Sequence, residues 1–376
     1  MVGYWLRKNQ FSQFFGKDLS MSEDVIKIGI VGAGGNTKLR HIPGLREQDN
    51  VEIVSVCNST RASSEKVANE FGIPNVYDNW IDLVRASDSN AICVGTYPNL
   101  HSAITIEALN AGKHVLTEAR MSVNAKEARN MLMTATAHPG LVSQIVPAPM
   151  TLPVDKTIQK IISGGSLGDL IYVEMNVNTG SFPEKESKLH WRQNRDLSGY
   201  NIMQMGIWYE ALMRWVGPAK TVMAMAKVVV KDRKDNDDVT RAIDIPDHVD
   251  ILCDMAAGCQ AHIKVSSVIG LAPKNEVWIY GSEGTMKLSQ STSLTVDGGN
   301  LGVYVGYKGS DGLTEIPIDP SDQGYWRVEE EFINAIRGIE KVTHTSFADG
   351  VKYMDFTEAV TRSFRSGRSV DLPLSV

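Results

Sequence analysis

Residues 25–39 read VIKIGIVGAGGNTKL, an apolar run (Val25, Ile26, Ile28, Ile30, Val31) that enters a glycine-rich turn and then a helix-compatible stretch. Such a turn can hold a dinucleotide pyrophosphate. Gly32 permits the tight bend, Gly34 lets the backbone approach the phosphates, and the N–H groups and dipole of the next helix favour negative charge. Gly35, Asn36 and Thr37 complete the turn, with Thr37 where the G-x-G-x-x-G/A fingerprint has its third small residue, so the match is partial. A second group, Asn58-Ser59-Thr60-Arg61, follows the second β run, where an acidic residue usually takes the ribose hydroxyls of NAD. No acid is present, and small hydroxyls with Arg61 suit a 2′-phosphate; this favours NADP and leaves NAD open through Asn58. The third group is cationic: Arg120, Arg192 and Arg195, with Lys188 nearby. Guanidinium forks match carboxylate, sulfonate or phosphate, so these residues point to an anionic substrate unless Asp196, Glu210 or Glu118 neutralises them.

Composition excludes several classes. A chain of 376 residues has room for about two domains. A net charge of −6 gives no reason to expect nucleic acid as a partner. Cys57, Cys93, Cys253 and Cys259 have neither CxxC nor zinc-finger spacing and read as reduced thiols of a cytoplasmic protein. His248 with Asp247 and Asp250 lies in a strand, where only i and i+2 share a face; no third ligand is evident, so no metal site is expected. No apolar run approaches the roughly 20 residues of a membrane span. Residues 1–24 form an N-terminal extension whose aromatic start is broken by Arg7, Lys8, Gln10, Gln13 and Lys17, unlike a signal peptide. It is either an interaction arm or the product of an upstream start.

The elements that must position these groups fall into two sets. Over 25–147, short apolar strands (51–57, 76–77, 91–94, 114–117, 141–146) alternate with helical stretches (63–71, 80–85, 100–111, 124–137). This predicts a doubly wound parallel sheet. Over 148–376 the pattern changes at Pro147, Pro149 and Pro153. A helix at 154–163 leads to long alternating strands at 170–179, 221–231, 249–255, 260–269, 276–280 and 285–289, with hairpin turns at 256–258 and 281–284. This predicts an α/β domain with an open, mostly antiparallel sheet. Helices at 327–337 and 347–366 close the chain, and the charged stretch 231–241 reads as a solvated hairpin tip.

Read in order, the glycine turn, Pro98-Asn99-Leu100-His101, Gly112-Lys113-His114-Val115-Leu116-Thr117-Glu118, Trp191-Arg192 and the glycine-containing segment 198–200 resemble the Gfo/Idh/MocA family of nicotinamide-dependent sugar oxidoreductases. The resemblance covers nearly everything from Val25 onward. It implies an N-terminal Rossmann domain and a C-terminal α/β domain whose sheet mediates homodimers or homotetramers. It also implies a small-molecule sugar substrate, cofactor contacts from Thr96, Tyr97, Pro98, Asn99 and His101, and Glu118 near the nicotinamide ribose. Ala119 and Arg120 would complete the cofactor side.

The departures from the family pattern concern proton transfer. Where relatives carry Glu-Lys-Pro this chain has Glu118-Ala119-Arg120, and the usual Asp and His four residues apart are Gln204 and Trp208. Oxidising a sugar alcohol requires a base within hydrogen-bond reach of the hydroxyl, and neither Gln nor Trp can serve. His190 is the best imidazole candidate, although a histidine in a polar loop is often simply solvated. Tyr209 and Tyr200 flank the altered positions and could act as phenolate bases if Arg120 or Arg192 lowered their pKa. Trp191, Arg195, Gln204 and Trp208 would face the substrate. The expected function is an NAD(P)-dependent oxidoreductase for a sugar, polyol or glycoside, with a relocated base. A redox-neutral, NAD-dependent glycosidase or lyase and a catalytically silent cofactor-binding sensor are the alternatives.

Overall fold

The computed structural model describes residues 25–290 and 301–375, so the N-terminal extension lies outside the described residues. Six parallel strands, β1 (Ile26–Val31), β2 (Val51–Cys57), β3 (Asn75–Val76), β4 (Ala91–Val94), β5 (His114–Thr117) and β6 (Ser143–Ile145), form one sheet in the order β3-β2-β1-β4-β5-β6. β4 is buried along its whole length and β1 nearly so, as strands covered by helices on both faces must be. The covering helices are α1 (Ile42–Arg46), α2 (Arg61–Phe71), α3 (Trp80–Arg85), α4 (Pro98–Asn110) and α5 (Ala125–Ala137). Thr60, Asn79 and Asn124 cap α2, α3 and α5 by accepting from Ser63, Asp82 and Glu127 N–H. The chain reverses its winding between β1 and β4, and a crevice opens there at the strands' carboxyl ends.

After α6 (Leu152–Ser163) the chain builds a second sheet of nine strands, with two short helices, α7 (Arg195–Ser198) and α8 (Met205–Val216), inserted. The strands are β7 (Leu170–Asn178), β8 (Ala219–Lys227), β11 (His248–Met255), β12 (Gln260–Ser266), β13 (Glu276–Gly281), β14 (Gly284–Gln290), β15 (Leu301–Tyr307), β16 (Thr314–Ile316) and β17 (Val370–Asp371). Their order is β16-β15-β14-β13-β7-β12-β11-β8-β17, and only the β7–β12 pair is parallel. The charged stretch after β8 forms a separate hairpin, β9 (Asp232–Lys234) with β10 (Thr240–Ala242), whose Arg233 is buried against Glu184 and Ser187.

Alternation decides the faces of the large sheet. Val173, Met175 and Val177 of β7 and Val249, Ile251 and Cys253 of β11 turn inward into the same core as Trp208, Tyr209 and Phe356. The opposite face leaves Met223, Met225 and Leu252 exposed. Two helices close the chain, α9 (Val328–Ile336) and α10 (Phe347–Ser366). α10 packs in the second core, but Val328, Phe332 and Ile333 of α9 join the core of the first sheet beside Ile28 and Leu45. A helix from the C-terminal part of the chain thus packs on the first domain.

Candidate active site: a glycine crevice and a cationic cavity

The crevice between β1 and β4 is bare backbone. Gly32 has φ +87, and a Cβ there would meet the Thr96 nitrogen at 2.7 Å, so only glycine lets the two loops approach. On the open side a Cβ at Gly34 would meet only the Gly95 carbonyl at 3.7 Å, and one at Gly35 would meet nothing within 4 Å. Side chains there would fill the space that a pyrophosphate needs, so the loop fits a dinucleotide. Thr37, the departure from the fingerprint, turns its buried hydroxyl inward to the Gly32 carbonyl at 3.1 Å and leaves the crevice clear.

The residues around this turn divide into holders and facers. Asn58 accepts from Ala33 N–H at 2.7 Å and donates to Ser63 O at 3.2 Å, tying the glycine turn to the start of α2. Ser59 beside it is exposed. Arg61 is claimed by Glu65 at 2.8 Å and Asp78 at 3.2 Å. The cation on which the preference for NADP rests thus sits in an exposed cluster with two carboxylates. His101 contacts the carbonyls of Arg120 and Thr96 at 2.9 and 3.0 Å, locking the loops after β4 and β5 together from a fully buried position. Asn99 has a buried carbonyl oxygen with no partner among the described residues. Tyr97 is half exposed and stacks on Trp191, with ring centroids 5.0 Å apart.

Glu118 stands at the carboxyl end of β5, where its side chain accepts from Asn36 and contacts His41 Nε2 at 3.0 Å. Burial alone would raise its pKa, but the His41 hydrogen bond and charge bring it below the usual carboxylate value. Ala119 adds only its N–H, which donates to Glu118 at 3.2 Å.

Beside the crevice lies a cavity of about 570 Å³ in the second domain. His190, Arg192, Gln204 and Arg120 line it with Asn178, Asp247 and Lys274. Arg120 is only 3% exposed; it donates to the Met203 carbonyl at 2.9 Å and has no carboxylate partner among the described residues. Its Nε is buried and unpaired. Burial and the charge of Arg192 lower its pKa to about 10, and its guanidinium lies 5.8 Å from the Trp191 ring. Arg192 lies over the Trp191 ring at 4.3 Å. The carboxylate of Asp247 is occupied by Val229 and Val230 N–H at 2.8 and 2.9 Å. His190 accepts from Arg192 N–H at Nδ1, 3.2 Å away, and burial followed by the Arg192 charge lowers its pKa.

Several sequence expectations are corrected here. Tyr209 is buried in the core, stacked on Phe356 at 3.6 Å, and accepts from Ala219 N–H; burial pushes its phenol far up, so it is no base. Trp208 is core as well, while its neighbour Gln204 faces the cavity. Tyr200 lies outside the cavity, beside Arg195 and Arg365. Arg195 is fastened to Asp244 at 2.9 Å and Lys188 to Asp238. Arg120, expected on the cofactor side, lines the cavity. His41, Lys274 and Asn178 were missed: none belongs to a short motif, and only the fold brings them to these sites.

The comparisons agree with this architecture. Residues 26–145 match the family model described as oxidoreductase family, NAD-binding Rossmann fold, and residues 156–287 match the GFO/IDH/MocA C-terminal domain. The bovine (Bos taurus) trans-1,2-dihydrobenzene-1,2-diol dehydrogenase is 24% identical over 66% of this chain and 72% of its own length. Among solved structures, levoglucosan dehydrogenase in complex with NADH and L-sorbose superposes with a TM-score of 0.76 at 18% identity, over 94% of this chain and 100% of its own. The WlbA dehydrogenase from Bordetella pertussis, in complex with NADH and UDP-GlcNAcA, gives 0.74 at 21%, over 93% and 100%. This chain belongs to the Gfo/Idh/MocA family of oxidoreductases and carries its NAD-binding Rossmann domain.

Proposed function

We propose that the protein oxidises, or in reverse forms, a hydroxyl group of a small sugar- or polyol-like molecule bearing an anionic group, with NAD rather than NADP. The observation that carries this reading is Arg120: an arginine 3% exposed at a cavity wall, without a carboxylate partner among the described residues, carries a desolvation cost that a bound anion would offset. Arg192 and the exposed Lys274 add charge to the same cavity, and Asn178 offers a buried carbonyl oxygen with no partner to a substrate hydroxyl. The engagement of Arg61 by Glu65 and Asp78 supports NAD. When bound, NAD supplies the hydride acceptor; Gly32, Gly34, Gly35 and Asn36 would carry its pyrophosphate, and Glu118 its nicotinamide ribose.

His190 is the proton acceptor in this proposal, being the imidazole among the described cavity residues. Its lowered pKa keeps it neutral at pH 7. Its Nδ1 contact to Arg192 N–H is long at 3.2 Å, so exchanging tautomers to free a lone pair costs on the order of 1 kcal/mol. Trp191, stacked on Tyr97, closes the wall between cofactor and substrate. The exposed Met223, Met225 and Leu252 on the open sheet face support self-association, which sedimentation velocity measures. Four buried, unpaired cysteines support a reducing, cytoplasmic setting.

A matched pair of substrates tests the proposal. A sugar acid should show kcat/KM at least about tenfold above that of the corresponding neutral polyol, the size of one charge-assisted hydrogen bond. Equal values for the pair would remove the anionic group from the account.

A further inference from the structure

Behind Glu118 lies a buried histidine that the proposed chemistry does not use. His41, fully buried one helical turn beyond the glycine loop, has Nε2 3.0 Å from Glu118 and Nδ1 2.5 Å from Glu329. Glu329 lies in α9 and also accepts from Trp326 Nε1 at 2.8 Å. A ring with a carboxylate on each nitrogen must donate from both, so it is an imidazolium. The first carboxylate borders the cofactor crevice, and the second arrives on a helix some 290 residues later in the chain. Gly44 makes this approach feasible: a Cβ there would sit 2.8 Å from Glu329 Oε2.

We infer that His41 is a positioning residue for the cofactor site, holding the Glu118 carboxylate at the crevice and making its placement depend on the docking of α9 through Glu329. This rests on the reading that Glu118 touches the cofactor. Other groups face the ring or its two carboxylates. Asn36 lies 3.4 Å from Nε2, and the Trp326 ring is tilted against it with Arg40 on that indole. Cys93 of β4 is a buried thiol pushed well above its ordinary value by burial and then by the two carboxylates. His101, which acts on Glu118 from α4, is lowered by burial. Neither of those two titrates between pH 7 and 9. His41 does: burial opposes its charge, but the hydrogen bonds to Glu118 and Glu329 outweigh that and raise its pKa to about 9.

The test is NADH affinity by fluorescence titration from pH 6 to 10, with the ring titration of His41 followed by NMR. Wild-type affinity should hold to about pH 8 and weaken as His41 loses its proton near 9. Glu329→Gln removes one of the two carboxylates, so both the ring pKa and the break in affinity should move down together. His41→Gln should bind NADH about tenfold more weakly, with no break. If His41→Gln does not fold, the joint shift in Glu329→Gln carries the test alone. Glu118→Gln separates the two levels of the argument. If it binds NADH like wild type, Glu118 does not touch the cofactor and the inference falls with that reading. If it binds weakly while Glu329→Gln and His41→Gln keep wild-type affinity and pH profile, the inference alone is overturned. A lower Tm without a change in affinity would assign the cluster to stability only.

Discussion

Replacing Arg120 by methionine separates stability from function. In the folded protein burial and then the Arg192 charge lower the pKa of this guanidinium to about 10, so its charge costs about 3 kcal/mol at neutral pH. The penalty is present wherever the group is charged, at every pH below about 10. Methionine removes it and fills much of the same space. The loss is the hydrogen bond to the Met203 carbonyl, worth about 1 kcal/mol. The balance favours the variant by roughly 2 kcal/mol, and its Tm should be no lower than wild type and up to a few degrees higher. Binding should move the other way. Losing a charged contact to the substrate's anionic group costs about 1.5–3 kcal/mol, or roughly 10- to 150-fold in KM. NADH affinity should stay unchanged, because Arg120 borders the cavity rather than the glycine turn. Calorimetry and steady-state kinetics read both sides. A Tm several degrees lower with KM intact would refute the reasoning and make Arg120 a pin for the Met203 loop.

Three further perturbations test neighbouring parts of the account. Gly34→Glu places bulk and negative charge on the bare side of the turn and should abolish NADH binding, measured by fluorescence titration, while leaving the circular dichroism spectrum native. His190→Ala should lower kcat by roughly a hundredfold or more. In the wild type, kcat/KM for oxidation should fall as pH drops through a pKa below 6.5, because the neutral imidazole is the active form and burial with Arg192 disfavours its protonation. Gly44→Ala should gain up to about 1 kcal/mol of helix propensity yet lower Tm, because the new Cβ meets Glu329 at 2.8 Å and overpacking costs about 1–3 kcal/mol.

The first domain was the more legible because its signals are local. A strand buried on both faces writes a continuous apolar run, and caps such as Asn124 or stops such as Gly112 sit beside what they punctuate. β15, β16 and β17 went unread: they are short or far from their partners, and β17 pairs β8 across some 150 residues. The site divides along the same line. The glycine turn is contiguous and was placed correctly within the fold. Of the cationic cluster, Arg120 and Arg192 line the cavity, whereas Arg195 and Lys188 pair with Asp244 and Asp238, about 50 residues away in the chain. Tyr209 failed for a related reason. A tyrosine next to a site position in sequence points elsewhere on a helix, and here it points into the core. His41 had no local signal, since both of its carboxylates are brought by the fold.

The most direct measurement incubates the pure protein with NAD and a panel of sugar acids, polyols and glycosides, following reduced-nicotinamide absorbance and free sugar release together. The account predicts absorbance rising in step with loss of an acidic, hydroxylated substrate. Sugar release that requires NAD without net absorbance change would contradict it and establish redox-neutral glycoside cleavage; silence in both channels, with NADH still bound, would leave a cofactor-binding sensor.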